Sequence, residues 1–78
     1  MMHTLDARGL ACPMPIVRTK KAMDPLADGD ELLVLATDPG SVADFKAWTR
    51  SMGHELLSIE QEEHEYRFRI RKQLARPS

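Results

Sequence analysis

The chain has 78 residues, 42% of them hydrophobic and 29% charged, with one cysteine. A chain of this length makes one small domain with a thin core, burying only about 60–65% of the surface it exposes when unfolded. The lone cysteine excludes an intramolecular disulfide framework, and a formal net charge of −1, from 11 Lys and Arg against 12 Asp and Glu, excludes a global basic field.

No apolar run approaches the ~20 residues of a membrane span, and no charged start leads into a signal-type stretch. The expected location is the cytoplasm, where a free thiol stays reduced, without direct membrane contact. Direct binding of nucleic acid is not expected, and the chain is expected to be a monomer. Charge is unevenly spread: acids gather at Asp24, Asp28, Asp30 and Glu31 and again from Glu55 to Glu65, whereas bases dominate from Arg67 to Arg76.

His3 to Ala7 reads as a first strand, with His3, Leu5 and Ala7 on one side and Thr4 and Asp6 on the other. Arg8-Gly9-Leu10-Ala11 turns the chain into Cys12-Pro13-Met14-Pro15, a helix start, since proline is well suited to a first turn whose amides lack helical partners. Ile16, Thr19, Lys20 and Met23 share one face of that helix, and Asp24-Pro25 ends it.

Asp28-Gly29-Asp30 is a turn, and the continuous apolar run within Glu31 to Thr37 suits an interior strand. Asp38 as N-cap and Pro39 at the first helical position open a second helix. Its apolar stripe is Phe45, Trp48 and Met52, flanked by Val42 and Thr49, and Gly53 stops it as a left-handed cap. His54 to Gln61 is a third strand with Leu57 and Ile59 inward, and Glu62-Glu63-His64 turns it. In the last strand Tyr66, Phe68 and Ile70 alternate strictly with Arg67, Arg69 and Arg71.

The order β-α-β-α-β-β allows both helices to cover one face of a four-stranded mixed sheet, in an α/β (α+β) two-layer sandwich. The arginines of the last strand then lie on the open face. Residues 3–72 make the domain, and residues 73–78 read as a flexible C-terminal tail.

Cys12 is the leading candidate for chemistry. At the expected N-cap of the first helix, unpaired amides and the positive end of the dipole favour a thiolate, with a pKa lowered from about 8.5 toward neutrality. Pro13 and Pro15 lack N–H groups, which leaves the amides of Met14 and Ile16 to face the sulfur. Arg8 and Arg18 stand near enough in sequence to support it electrostatically. The competing reading is a buried structural cysteine, since free cysteines pack as small hydrophobes. Scattered His3, His54 and His64 with one cysteine make no zinc pattern, and isolated glycines make no phosphate loop, so neither metal nor cofactor is expected.

The stretch Leu5-Asp6-Ala7-Arg8-Gly9-Leu10-Ala11-Cys12-Pro13-Met14-Pro15 resembles the TusA/SirA-like sulfur-carrier family, whose hallmark is Cys-Pro-x-Pro at this place. The likeness continues through Asp28-Gly29-Asp30, Thr37-Asp38-Pro39-Gly40-Ser41 and Ile70-Arg71-Lys72. It implies strand order 1-2-4-3 and a persulfide carried on Cys12, with Pro13 and Pro15 shaping its turn. It further implies a cysteine desulfurase or rhodanese-like sulfur donor and a downstream acceptor protein. Such carriers serve tRNA thiolation, molybdenum-cofactor supply or dissimilatory sulfur oxidation, as relay carriers or sulfurtransferase partners rather than stand-alone enzymes. The alternative is a regulatory or binding module that docks partners through Arg67, Arg69 and Arg71. A thiol-redox enzyme is disfavoured because the chain has no resolving cysteine.

Overall fold

The alternation of Tyr66, Phe68 and Ile70 with arginines gives one strand two opposite faces, and the rest of the molecule is laid against the apolar one. A computed structural model describes residues 2–73. Its elements in chain order are β1 (Met2–Ala7), α1 (Met14–Met23), β2 (Glu31–Ala36), α2 (Ser41–Met52), β3 (Glu55–Glu62) and β4 (Glu65–Arg71). The four-stranded sheet has the order β1-β2-β4-β3, with β1 and β2 parallel and the other pairs antiparallel.

Register builds the core in rows. Leu5 lies opposite Val34, Val34 opposite Phe68, and Phe68 opposite Ile59. Leu32 lies opposite Ile70, and Ile70 opposite Leu56. The fully buried side chains Leu32, Val34, Phe45, Phe68 and Ile70 come from these rows and from α2. Phe45 stacks on Phe68 with ring centroids 4.3 Å apart and 12° between planes, fixing α2 on the sheet.

Each helix buries positions four residues apart: Pro15, Thr19 and Met23 in α1, and Ser41, Phe45 and Thr49 in α2. Threonine costs little there, because Thr19 Oγ1 donates to the Pro15 carbonyl at 2.7 Å and Thr49 Oγ1 to the Phe45 carbonyl at 2.8 Å. Gly53, at φ 78°, caps α2 in the left-handed conformation that glycine adopts without a Cβ penalty. At the end of α1, Lys72 Nζ donates to the carbonyls of Met23 (2.7 Å) and Asp24 (3.0 Å), a cation on the negative end of the helix.

Three local expectations are corrected. The second helix starts at Ser41 with Gly40 as N-cap, because the Ser41 N–H donates to the Asp38 carbonyl and closes a turn ahead of the helix. Met52 is 49% exposed rather than part of the buried stripe. As the terminal helical residue it lines an open cleft with Met23, Trp48, His54 and Lys72. In β3 an irregularity of register between Leu56 and Ser58 shifts the side-chain phase, so Leu56 and Ile59 pack on the core in place of Leu57 and Ile59.

The expected tail begins at Gln73, whose N–H donates to His54 Nδ1 at 3.1 Å. Residues 74–78 lie outside the described residues. Among the described residues no helix is long and apolar enough to cross a membrane.

Candidate functional site at the start of the two helices

Parallel neighbouring strands that are each followed by a helix deliver both helix starts to the same end of the sheet. The loop after β1 and the loop after β2 meet there, and the Gly9 N–H donates to Thr37 Oγ1 at 2.9 Å to tie them together. Cys12 is exposed in the first of these loops.

The helix start differs from the expected one. Pro13 is the N-cap of α1 (φ −97°, ψ 14°), with no side-chain cap, so Cys12 stands one residue outside the helix. The Cys12–Pro13 peptide is cis. The Met14 amide donates to the Ala11 carbonyl at 2.8 Å and is therefore engaged away from the sulfur. Pro15 is buried at the second helical position while Pro13 remains exposed.

The thiol has a partner that sequence reasoning missed. Cys12 Sγ donates to Asp44 Oδ2 at 2.6 Å, and Asp44 is the acidic residue in the first turn of α2. This corrects the expectation of a thiolate stabilised by the helix start. The Cys12 pKa is pushed upward, first by the hydrogen bond to Asp44, then by desolvation, then by the charges of Asp44 and Asp38. A donor hydrogen bond and two nearby carboxylates favour the neutral thiol.

Arg8 is engaged elsewhere. Its Nε donates to Asp6 Oδ1 at 2.9 Å and its NH1 approaches Glu65 Oε1 at 3.4 Å. This holds the Asp6 carboxyl down at about 2. Arg18 is exposed on α1, and the charges acting on the thiol are those of Asp44 and Asp38.

Beside the thiol an open groove of about 400 Å³ runs between the helices, lined by Cys12, Pro13, Ile16, Asp44, Ala47 and Trp48. Its walls are mostly apolar, and the sulfur and the Asp44 carboxylate supply polarity at its mouth. The arginines of β4 lie away from it on the open sheet face. There Arg67 Nε bonds Glu65 at 3.0 Å, Arg69 Nε bonds Glu31 at 2.8 Å, and Arg71 NH1 bonds Glu55 at 3.2 Å.

The family described as Sulfurtransferase TusA matches residues 3–72. The chain belongs to the TusA/SirA-like sulfur-carrier family. Its relatives include YrkI of Bacillus subtilis, which is 56% identical over 68 residues, or 87% of this chain and 91% of YrkI. YrkF of the same organism is also 56% identical, but the chain spans only 37% of its length. The sulfur carrier protein TusA of Allochromatium vinosum is 47% identical across 87% of this chain and 90% of its own. Among solved structures, the SirA-like protein of Desulfitobacterium hafniense superposes with a TM-score of 0.79 at 28% identity, covering 94% of this chain. The chain is thus a sulfur carrier protein of the TusA family, and membership implies sulfur donor and acceptor partners.

Proposed function

We propose that Cys12 is the carrier residue, accepting sulfane sulfur as a persulfide and relaying it to an acceptor protein. The observation that supports this reading is an exposed thiol at the mouth of an open groove, hydrogen-bonded to the Asp44 carboxylate.

The step balances without an external oxidant. Cys12 gives up its proton, and Asp44 is the group in place to take it. The thiolate attacks the outer sulfur of a donor persulfide, the donor's S–S bond breaks, and the donor cysteine leaves as a thiolate. Discharge is the same reaction in reverse sense, with an acceptor thiolate attacking the outer sulfur and Cys12 leaving. Pro13 and Pro15 restrict the turn that presents the sulfur.

A cysteine desulfurase or rhodanese-like protein is the donor class, and the setting is the cytoplasm. The acceptor protein commits the sulfur to tRNA thiolation, molybdenum-cofactor supply or sulfur oxidation. Incubation with a persulfide-loaded desulfurase followed by intact mass spectrometry tests the assignment. The parent gains the mass of one sulfur atom and Cys12→Ser gains none; equal loading of the two would refute it.

A further inference from the structure

The surroundings of the sulfur are poor in groups that hold an anion. Pro13 and Pro15 bring no N–H, and the Met14 amide is engaged by the Ala11 carbonyl. The Arg8 guanidinium is clamped between Asp6 and Glu65. What does reach Cys12 is negative. Asp44 Oδ2 stands 2.6 Å from Sγ, and the charge of Asp38 acts on the thiol from the turn ahead of the same helix. The groove beside the sulfur is walled by Pro13, Ile16, Ala47 and Trp48. A carboxylate and an apolar wall both disfavour a negative charge on a neighbouring atom.

The empty and the loaded residue respond to these surroundings in opposite ways. The empty thiol is neutral and has a proton to donate, so Asp44 stabilises it. A persulfide is a stronger acid than the thiol it is built on, so at neutral pH the loaded residue is an anion without that proton. Its charge lies on the outer sulfur, one S–S bond or about 2 Å beyond Sγ. Whichever way that bond turns, the outer sulfur stays within about 5 Å of Asp44 Oδ2, where like charges repel.

We propose that Asp44 sets the transfer potential of the sulfur: by stabilising the empty thiol and repelling the persulfide anion, it makes Cys12 a relay that gives sulfur up readily rather than a store that retains it. The exchange it acts on is balanced. The outer sulfur moves from a donor persulfide to Cys12, one S–S bond breaks as another forms, and the Cys12 proton passes by way of Asp44 to the departing thiolate. The single negative charge moves from the donor persulfide to the Cys12 persulfide, with no net oxidation. Receiving the proton alters the forward and reverse rates alike. Repelling the product anion alters where the exchange settles, which is a separate role for the same carboxylate. Asp38 adds to it from farther away.

This inference rests on Cys12 being the carrier, so the experiment separates the two. Parent and variants are equilibrated with a fixed ratio of glutathione persulfide to glutathione at neutral pH, and the loaded fraction is read by intact mass. Each is started both empty and loaded, so that agreement of the two end points shows equilibrium even where a variant exchanges slowly. Asp44→Asn should move the exchange constant about three- to tenfold toward the loaded form, tenfold being one pKa unit and the lower figure allowing for screening by water. Asp38→Asn should move it the same way by less. Asp44→Glu keeps the charge and should stay near the parent, a rescue that disturbance of the loop alone would not give. An unchanged constant in Asp44→Asn would overturn the proposal, as would an equal shift in Asp44→Glu. A shift of Asp44→Asn toward the empty form would also overturn it, and would mean that the loaded sulfur keeps a proton and donates it to Asp44. A parent that takes up no sulfur, or Cys12→Ser that takes up as much, would refute the carrier reading instead.

Discussion

Cys12 Sγ donates its hydrogen bond to Asp44 Oδ2 across 2.6 Å, joining the loop before α1 to the first turn of α2. The bond holds the Cys12 sulfur in one place at the mouth of the groove. It also favours the neutral thiol, which an unloaded carrier can keep until a donor arrives.

Replacing Asp44 with Asn removes the largest cause of the raised thiol pKa. The sign follows directly: the parent forms thiolate only at higher pH than an ordinary cysteine, and Asp44→Asn shifts that onset downward. Alkylation of Cys12 by iodoacetamide at pH 7 should become severalfold faster in the variant. Its pH profile should move to lower pH, and an unchanged profile would mean that Asp44 does not control the sulfur.

Asp6 and Arg8 offer a check at the other side of the same loop. The Asp6 carboxyl, held at about 2 by Arg8, should return toward its ordinary 3.8 in Arg8→Ala, as read by NMR titration. Because its pKa is depressed, the pair's contribution is present above the ordinary value and fades as pH falls through about 2. Both side chains are about half exposed, so neutral-pH stability should barely change.

Lys72 tests how β4 is coupled to α1. Lys72→Met keeps the aliphatic stem and deletes two charge-assisted bonds to the Met23 and Asp24 carbonyls. Denaturant unfolding should show a loss of about 1–2 kcal/mol. Loading of Cys12 should be unaffected, since the contact lies at the far end of the helix.

Phe45 carries the attachment of α2 to the sheet through its stack on Phe68. Phe45→Ala should cost about 3–5 kcal/mol, a large part of the stability of so small a domain. Leu57→Ala, at the register irregularity of β3, should cost far less than Leu56→Ala, which packs on the core. A chemical denaturation series on the three variants checks this order.

The strand and helix order was legible because period-2 alternation in β4 and the proline and glycine punctuation leave few alternatives. Legibility ended where one residue changes phase or where two loops meet. The irregularity at Leu57 has no composition signal, so the inward residue was displaced by one position. Asp38-Pro39 has the chemistry of a helix start, yet the Asp38 carbonyl closes a turn first. Asp44 reads locally as an unremarked acid in a first turn. Only the parallel pairing of β1 with β2 sets that turn beside Cys12, and this topological signal was available once both strands were read as followed by helices. The arginine ladder was legible as a face, but the carboxylates that neutralise it come from β2, β3 and β4 itself.

The most direct measurement is a load-and-chase experiment followed by intact mass. The protein is loaded from a persulfide-bearing desulfurase, separated from it, and mixed with a reduced acceptor thiol. The parent should gain one sulfur atom and lose it on the chase with matching transfer to the acceptor, and Cys12→Ser should gain none. Sulfur that loads onto Cys12→Ser as readily as onto the parent, or that stays on the parent through the chase, would contradict the assignment of Cys12 as the relaying carrier.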